Sequence, residues 1–322
     1  MSKFNGEAGA ALVFLILYLF IFSWMLFAYF THRLKWRSRW SFLLFHVTIR
    51  VASQGCGIGF GILGFKNLSL FLAFLILGAE GYFSLVLCTF RFIISWHQHN
   101  FPSGTSWLEP RREAMKAMSK RDQWRRTLTF LLLGPFALIL YPDNAMGAFH
   151  LVLVLANTAI IVGGSFLAGA NPPTQHALDV SRAARTAGQG VFLACNLLLL
   201  VVILATIRQD HRMRAEKGER GTHPTLILLS VAWIPLIVRG IFGVLQAVDY
   251  SLSYYNPANY DANGFTPRFT AIEYVLGVMT EWLACALLNA TYYTSRHDPK
   301  KPTVASAAAA EKEKSERSEA QP

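Results

Sequence analysis

Apolar residues in this chain come in long, nearly unbroken runs separated by short clusters of charge. Runs of about 18 or more apolar residues read as membrane spans, because about 20 residues at 1.5 Å rise cross a bilayer core. The runs predict spans at Ala8–Phe30, Ser41–Ile62, Leu68–Ile94, Gly147–Gly169, Gly188–Ile207, Thr225–Val248 and Thr270–Tyr292. Alternating ten-residue strand patterns are absent, so the pattern predicts an all-α polytopic bundle, not a β-barrel. The first run exceeds the roughly 7–15 residues of a signal h-region and reads as a span. The stretch Thr127–Tyr141 is apolar, short and broken by Gly134-Pro135. It is read as interfacial or re-entrant.

Charge fixes the predicted orientation. Of the 30 Lys and Arg residues, a seven-span chain with its N-terminus outside places 23 in cytosolic segments, counting Arg91 at the inner end of the third span, five in outer segments and two, Arg50 and Arg239, deeper within spans. An eighth span at Thr127–Tyr141 would put the Arg208–Arg220 loop and the tail outside, against the positive-inside rule. The C-terminus is therefore expected in the cytosol. Residues 1–294 form the predicted transmembrane domain, with a cytosolic or interfacial insertion at about 100–141. The Ala- and Glu-Lys-rich stretch 295–322 has no apolar face to bury and is expected to be a disordered cytosolic tail.

Composition agrees with a membrane assignment: 53% of residues are hydrophobic and 15% charged, against about 25% charged in soluble domains. The net charge of +11 is explained by topology, so no nucleic-acid partner is implied. Cys56, Cys88, Cys195 and Cys285 fall within predicted spans without C-x-x-C spacing, which argues against a disulfide framework or a zinc site. No Gly-x-Ser-x-Gly, His-Glu-x-x-His or P-loop occurs, and no cofactor is implied. His97 and His99 lack further ligands at a telling spacing. Asn67-Leu-Ser69 matches a glycosylation sequon, though very near the predicted membrane.

The informative residues are polar ones inside spans, where an ionisable side chain is costly and marks a functional or pairing site. The second span carries His46, Arg50, Gln54, Gly57 and Gly61 at spacings of three to four. The third carries Glu80, Ser84, Cys88 and Arg91. The sixth carries Arg239 and Gln246, and the seventh Glu273, Gly277 and Glu281. Each series shares one helical face. Arg50 and Glu281 lie at a common depth, roughly 13–17 Å from the cytosolic ends of their spans. Arg239 and Glu80 lie roughly 20–24 Å away by the same rise, and Glu273 is within reach of Arg239. Several pairings are thus open. Arg50, Gln54, Glu80, Arg239, Gln246, Glu273 and Glu281 form the candidate ligand site, with register-fixing ion pairs as the structural alternative. His150, Asn157, Gln189 and Asn196 are expected to make interhelical hydrogen bonds. Gly57-x-x-x-Gly61 is expected to serve close internal packing.

Four segments carry a resemblance: Thr48–Gln54, Gly78–Ile93, Val238–Phe242 and Met279–Trp282. Together they resemble a family of fungal seven-helix integral membrane proteins filed as a domain of unknown function, which implies a fold and a location but no activity. More distantly the chain is similar to the fungal lipid-translocating exporter-like family. That family's sixth helix carries an arginine, a second arginine four residues later and a glutamate three beyond. Arg239 matches the first position, and Gly243 and Gln246 stand at the others.

These readings predict an integral multi-pass protein of the plasma membrane or an endomembrane, surrounded by membrane lipids. Its leading expected role is binding, moving or sensing a small amphiphilic ligand through an intramembrane polar site. A membrane-embedded enzyme using Glu80 or Glu281 as acid or base is the second class. A seven-helix receptor signalling through its basic loops is the third. The oligomeric state is left open.

Overall fold

The computed structural model describes residues 5–36, 38–102, 104–109, 119–133, 140, 144–168, 174–261, 264–296 and 298. Almost all of them are helical. The long helices are α1 (Gly6–Phe30), α2 (Arg39–Leu63), α3 (Leu68–Asn100), α5 (Ala145–Ala168), α6 (Gln175–Glu216), α7 (Pro224–Val248) and α8 (Pro267–Thr294), with a shorter α4 (Lys120–Leu133) between α3 and α5. Six of these, all but α2 and α4, are long and apolar enough to cross a membrane. This makes the chain compatible with an integral multi-pass membrane protein. Helix α2 has the length, at 25 residues, but its polar stripe dilutes its apolar content. Of Thr127–Tyr141, Thr127–Leu133 belongs to α4, while the Gly134-Pro135 break lies outside the described residues. So do most of the tail and residues 110–118.

Local sequence explains the helix ends. Asn5 Oδ1 accepts a hydrogen bond from the Ala8 amide at 2.9 Å and caps α1. Gly64, at φ 55°, closes α2. Pro224 and Pro267 occupy first turns, where a missing amide costs nothing. The largest departure from the sequence reading is α6. It runs for 42 residues, about 63 Å at 1.5 Å per residue, beyond both ends of the predicted span Gly188–Ile207. Its first turns are helical because Thr174 caps them, accepting from the Ala177 amide, and the Ala-rich segment before Gly188 favours a helix. Arg182 and Arg185, two of the five basic residues counted in outer segments beyond the predicted spans, therefore stand on a helix.

The chain forms two compact units, Met1–Thr89 with Val152–Tyr292, and Phe90–Leu151 with Tyr293–Pro322. In the first, α1 packs along α2, and α7 along α6. The α1–α2 approach uses the glycine stripe. A Cβ on Gly57 would sit 3.3 Å from the Ala11 Cβ, and one on Gly61 would sit 2.6 Å from the Ala8 backbone nitrogen. At one end, Phe60, Phe71, Phe74, Phe265 and Phe269 form an aromatic cluster beside Tyr254 and Tyr260. A short hairpin, β1 (Tyr260–Asp261) with β2 (Gly264–Phe265), delivers Phe265 to it.

In the second unit, Arg91 reaches both oxygens of Glu109 at 2.7 Å. His97 Nδ1 lies 2.8 Å from Ser106 Oγ, its ring stacked on Phe101. The Met146 amide donates to the Leu108 carbonyl.

Candidate functional site

The polar stripes of α2, α7 and α8 meet in the first unit at Glu281. Arg50 Nη2 lies 2.8 Å from Glu281 Oε2, and Arg239 Nε donates to Glu281 Oε1 at 2.7 Å. Glu281 is 1% exposed, Arg50 2% and Arg239 7%. Two guanidinium groups thus share one carboxylate, out of contact with solvent. In an apolar surrounding an unpaired charge is very costly, so the three residues hold one another in place. Arg239 also lies over the Tyr82 ring at 5.2 Å. Asn196 Nδ2 donates to the Tyr82 hydroxyl at 3.2 Å, which fixes that ring.

A second polar cluster lies one step along α8. Glu273 Oε2 accepts from Gln246 Nε2 at 2.7 Å, and the Tyr254 hydroxyl also hydrogen-bonds Glu273. Burial, followed by the nearby Glu273, holds the Tyr254 phenol pKa well above its usual value. Tyr254 is therefore protonated and donates this bond.

The backbone of α8 brings both carboxylates inward. Residues eight apart on an α-helix are rotated by roughly 80°. Here the helix passes through a π segment, Glu273–Val278, whose wider turns take up part of that rotation. Gly277 leaves room for the Glu273 side chain, since a Cβ there would sit 3.0 Å from Glu273 Oε1. Gly81 on α3 does the same for the triad. A Cβ on Gly81 would lie 2.7 Å from Arg50 Cδ and 3.0 Å from Glu281 Oε2.

Five of the seven candidate residues, Arg50, Arg239, Gln246, Glu273 and Glu281, line one cavity of about 190 Å³. Its lining is mixed. Leu72, Leu75, Ile76 and Ala79 of α3 and Ile160 and Ile161 of α5 contribute aliphatic surface, and the five polar residues are joined by Arg185 and Gln189 of α6. Tyr254 and Tyr255 line it too, and the Tyr255 hydroxyl donates to the Gly164 carbonyl at 3.0 Å.

The remaining two candidates are placed elsewhere. Gln54 is fully buried but does not line the cavity. Glu80 accepts from Asn157 Nδ2 at 2.5 Å and also lies off the cavity wall. The depth match of Arg50 with Glu281 is realised. Arg239 reaches the same Glu281, and Glu80 pairs across to α5 instead. Because the Glu80 partner is a neutral amide, Glu80→Gln preserves an acceptor for it. That variant is expected to unfold thermally in detergent within about 1 kcal/mol of the unmodified protein.

The sequence reading did not single out Arg185 or Gly81, and it gave Gln189 an interhelical hydrogen bond instead of a place on the cavity lining. Arg185 and Gln189 lie on one face of α6, four residues apart, a signal hidden because the predicted span begins at Gly188, after Arg185. No family model, curated protein or solved structure matches the chain.

Proposed function

We propose that this is a seven-helix integral membrane protein, N-terminus outside and C-terminus cytosolic, that binds a small amphiphile in the cavity between α3, α5 and the Arg50–Arg239–Glu281 triad. The topology rests on the charge bias between alternate loops, and on α2, which has spanning length and packs along α1. The binding reading rests on one observation: a cavity of about 190 Å³ lined both by aliphatic side chains of α3 and α5 and by buried charged and polar groups. An amphiphile satisfies both kinds of surface at once, its tail against Leu75, Ile76 and Ile161 and its head toward Arg239 and Gln246. Binding sites of this kind are mostly apolar with a few convergent polar groups. The distant similarity to the lipid-translocating exporter-like family, of whose three charged sixth-helix positions only Arg239 is matched, hints at the same class of ligand.

Native mass spectrometry of the purified protein tests the reading. The unmodified protein is expected to carry an amphiphile of defined mass. Ala79→Phe puts a ring on the cavity lining and is expected to abolish that adduct, with thermal unfolding reporting whether the fold is kept. Equal occupancy in both proteins, or none in either, would overturn the assignment.

A further inference from the structure

The charges around the cavity do not balance. Three guanidinium groups, of Arg50, Arg185 and Arg239, face two carboxylates, of Glu273 and Glu281. With all five ionised, the wall carries one positive charge in excess. Glu281 is shared by two of the arginines, and Glu273 is engaged by Gln246 and Tyr254. Among the described lining residues three buried donors lack an acceptor, against one unpaired neutral acceptor, Gln189 Oε1, and Glu281 Oε2, which faces Arg50. Arg239 Nη1, Arg50 Nε and Arg185 Nε are buried and have no hydrogen-bond acceptor among the described residues. Arg239 is 7% exposed and Arg50 2%. Arg185 lies over the Tyr255 ring at 4.6 Å, a contact that orients its plane without supplying an acceptor.

From this excess we infer that the amphiphile's head group is a singly charged anion, a carboxylate or a phosphodiester, received by Arg239 and Arg185. The inference rests on the amphiphile-binding reading above. A single negative charge neutralises the wall, and its oxygens supply the missing acceptors. A planar guanidinium offers paired donors to either group. A cationic head would add to the excess, and a neutral hydroxyl would leave the charge uncompensated. The aliphatic side chains of α3 and α5 take the chain in each case.

Four probes sharing one oleyl chain separate the head group from the tail: oleic acid, methyl oleyl phosphate, oleyl alcohol and oleylamine. Binding to the purified full-length protein in nanodiscs is measured by competition. At least one anion is expected to bind about tenfold or more tighter than the alcohol, equivalent to about 1.4 kcal/mol, and the amine weakest. Which anion is preferred identifies the carboxylate or the phosphodiester as the source. Arg185→Gln keeps Arg50, Arg239 and Glu281 and is expected to erase most of that preference, the anions losing far more affinity than the alcohol. Equal affinity of alcohol and anions, or an unaltered preference in Arg185→Gln, would overturn the anionic head group and leave amphiphile binding standing. Failure of all four probes would overturn both.

Discussion

Glu281→Gln is expected to be the most disruptive single change of one side chain's charge in the protein, lowering stability by about 3–5 kcal/mol. The carboxylate is the shared partner of Arg50 and Arg239, and all three side chains are buried. An amide in its place keeps the shape but leaves two guanidinium groups with no counter-charge. Arg239→Gln is expected to cost less, because Glu281 retains Arg50 at 2.8 Å. Combining Glu281→Leu with Arg50→Met and Arg239→Leu should recover much of the loss, since an apolar replacement of a whole buried ionic group is often neutral or stabilising. Thermal unfolding in detergent measures the three variants against the parent. A Glu281→Gln protein as stable as the parent would show that the triad is not what holds α2, α7 and α8 in register.

The second large effect is expected at Gly61. A Cβ there would meet the Ala8 backbone nitrogen at 2.6 Å and the Asn5 Oδ1 that caps α1 at 2.8 Å. Backbone cannot swing aside as a side-chain tip can, so Gly61→Leu must push α1 from α2 and disturb the cap. Overpacking of this kind costs about 1–3 kcal/mol or more. Gly55→Leu is the matched control: it lies on the same helix, with nothing within 4 Å of its Cβ position. The account predicts a marked fall in folded yield and thermal midpoint for Gly61→Leu and little change for Gly55→Leu. Equal behaviour would mean that the close approach of α1 and α2 contributes little.

The helices were legible because spanning segments are written in composition alone, and caps such as Asn5, Pro224 and Pro267 sit where the apolar runs start. Helix α6 was misjudged at its ends because polar extensions of a helix carry no apolar run. Only the Thr174 cap and the Ala-rich first turns mark them. The site was half legible. Ionisable residues on α2, α7 and α8 announce themselves by the cost of burying them, and a common depth pointed to Arg50 with Glu281. Depth could not show that Arg239 shares that carboxylate, which depends on the π segment Glu273–Val278 and on the room left by Gly81. Nor could it show that Asn157 engages Glu80. Lateral order of helices in a bundle is set by packing, which a linear pattern does not encode. The cavity itself is lined by residues of six helices, α2, α3, α5, α6, α7 and α8, and no single segment carries its signature.

The most direct test of the central claim is a cryo-electron microscopy structure of the full chain in a lipid nanodisc. The account predicts an elongated density within the cavity, its polar end beside Arg239 and Arg185 and its tail along Leu75, Ile76 and Ile161. A cavity closed by side chains, or filled only by water between intact ion pairs, would contradict it and leave the triad as a structural clamp.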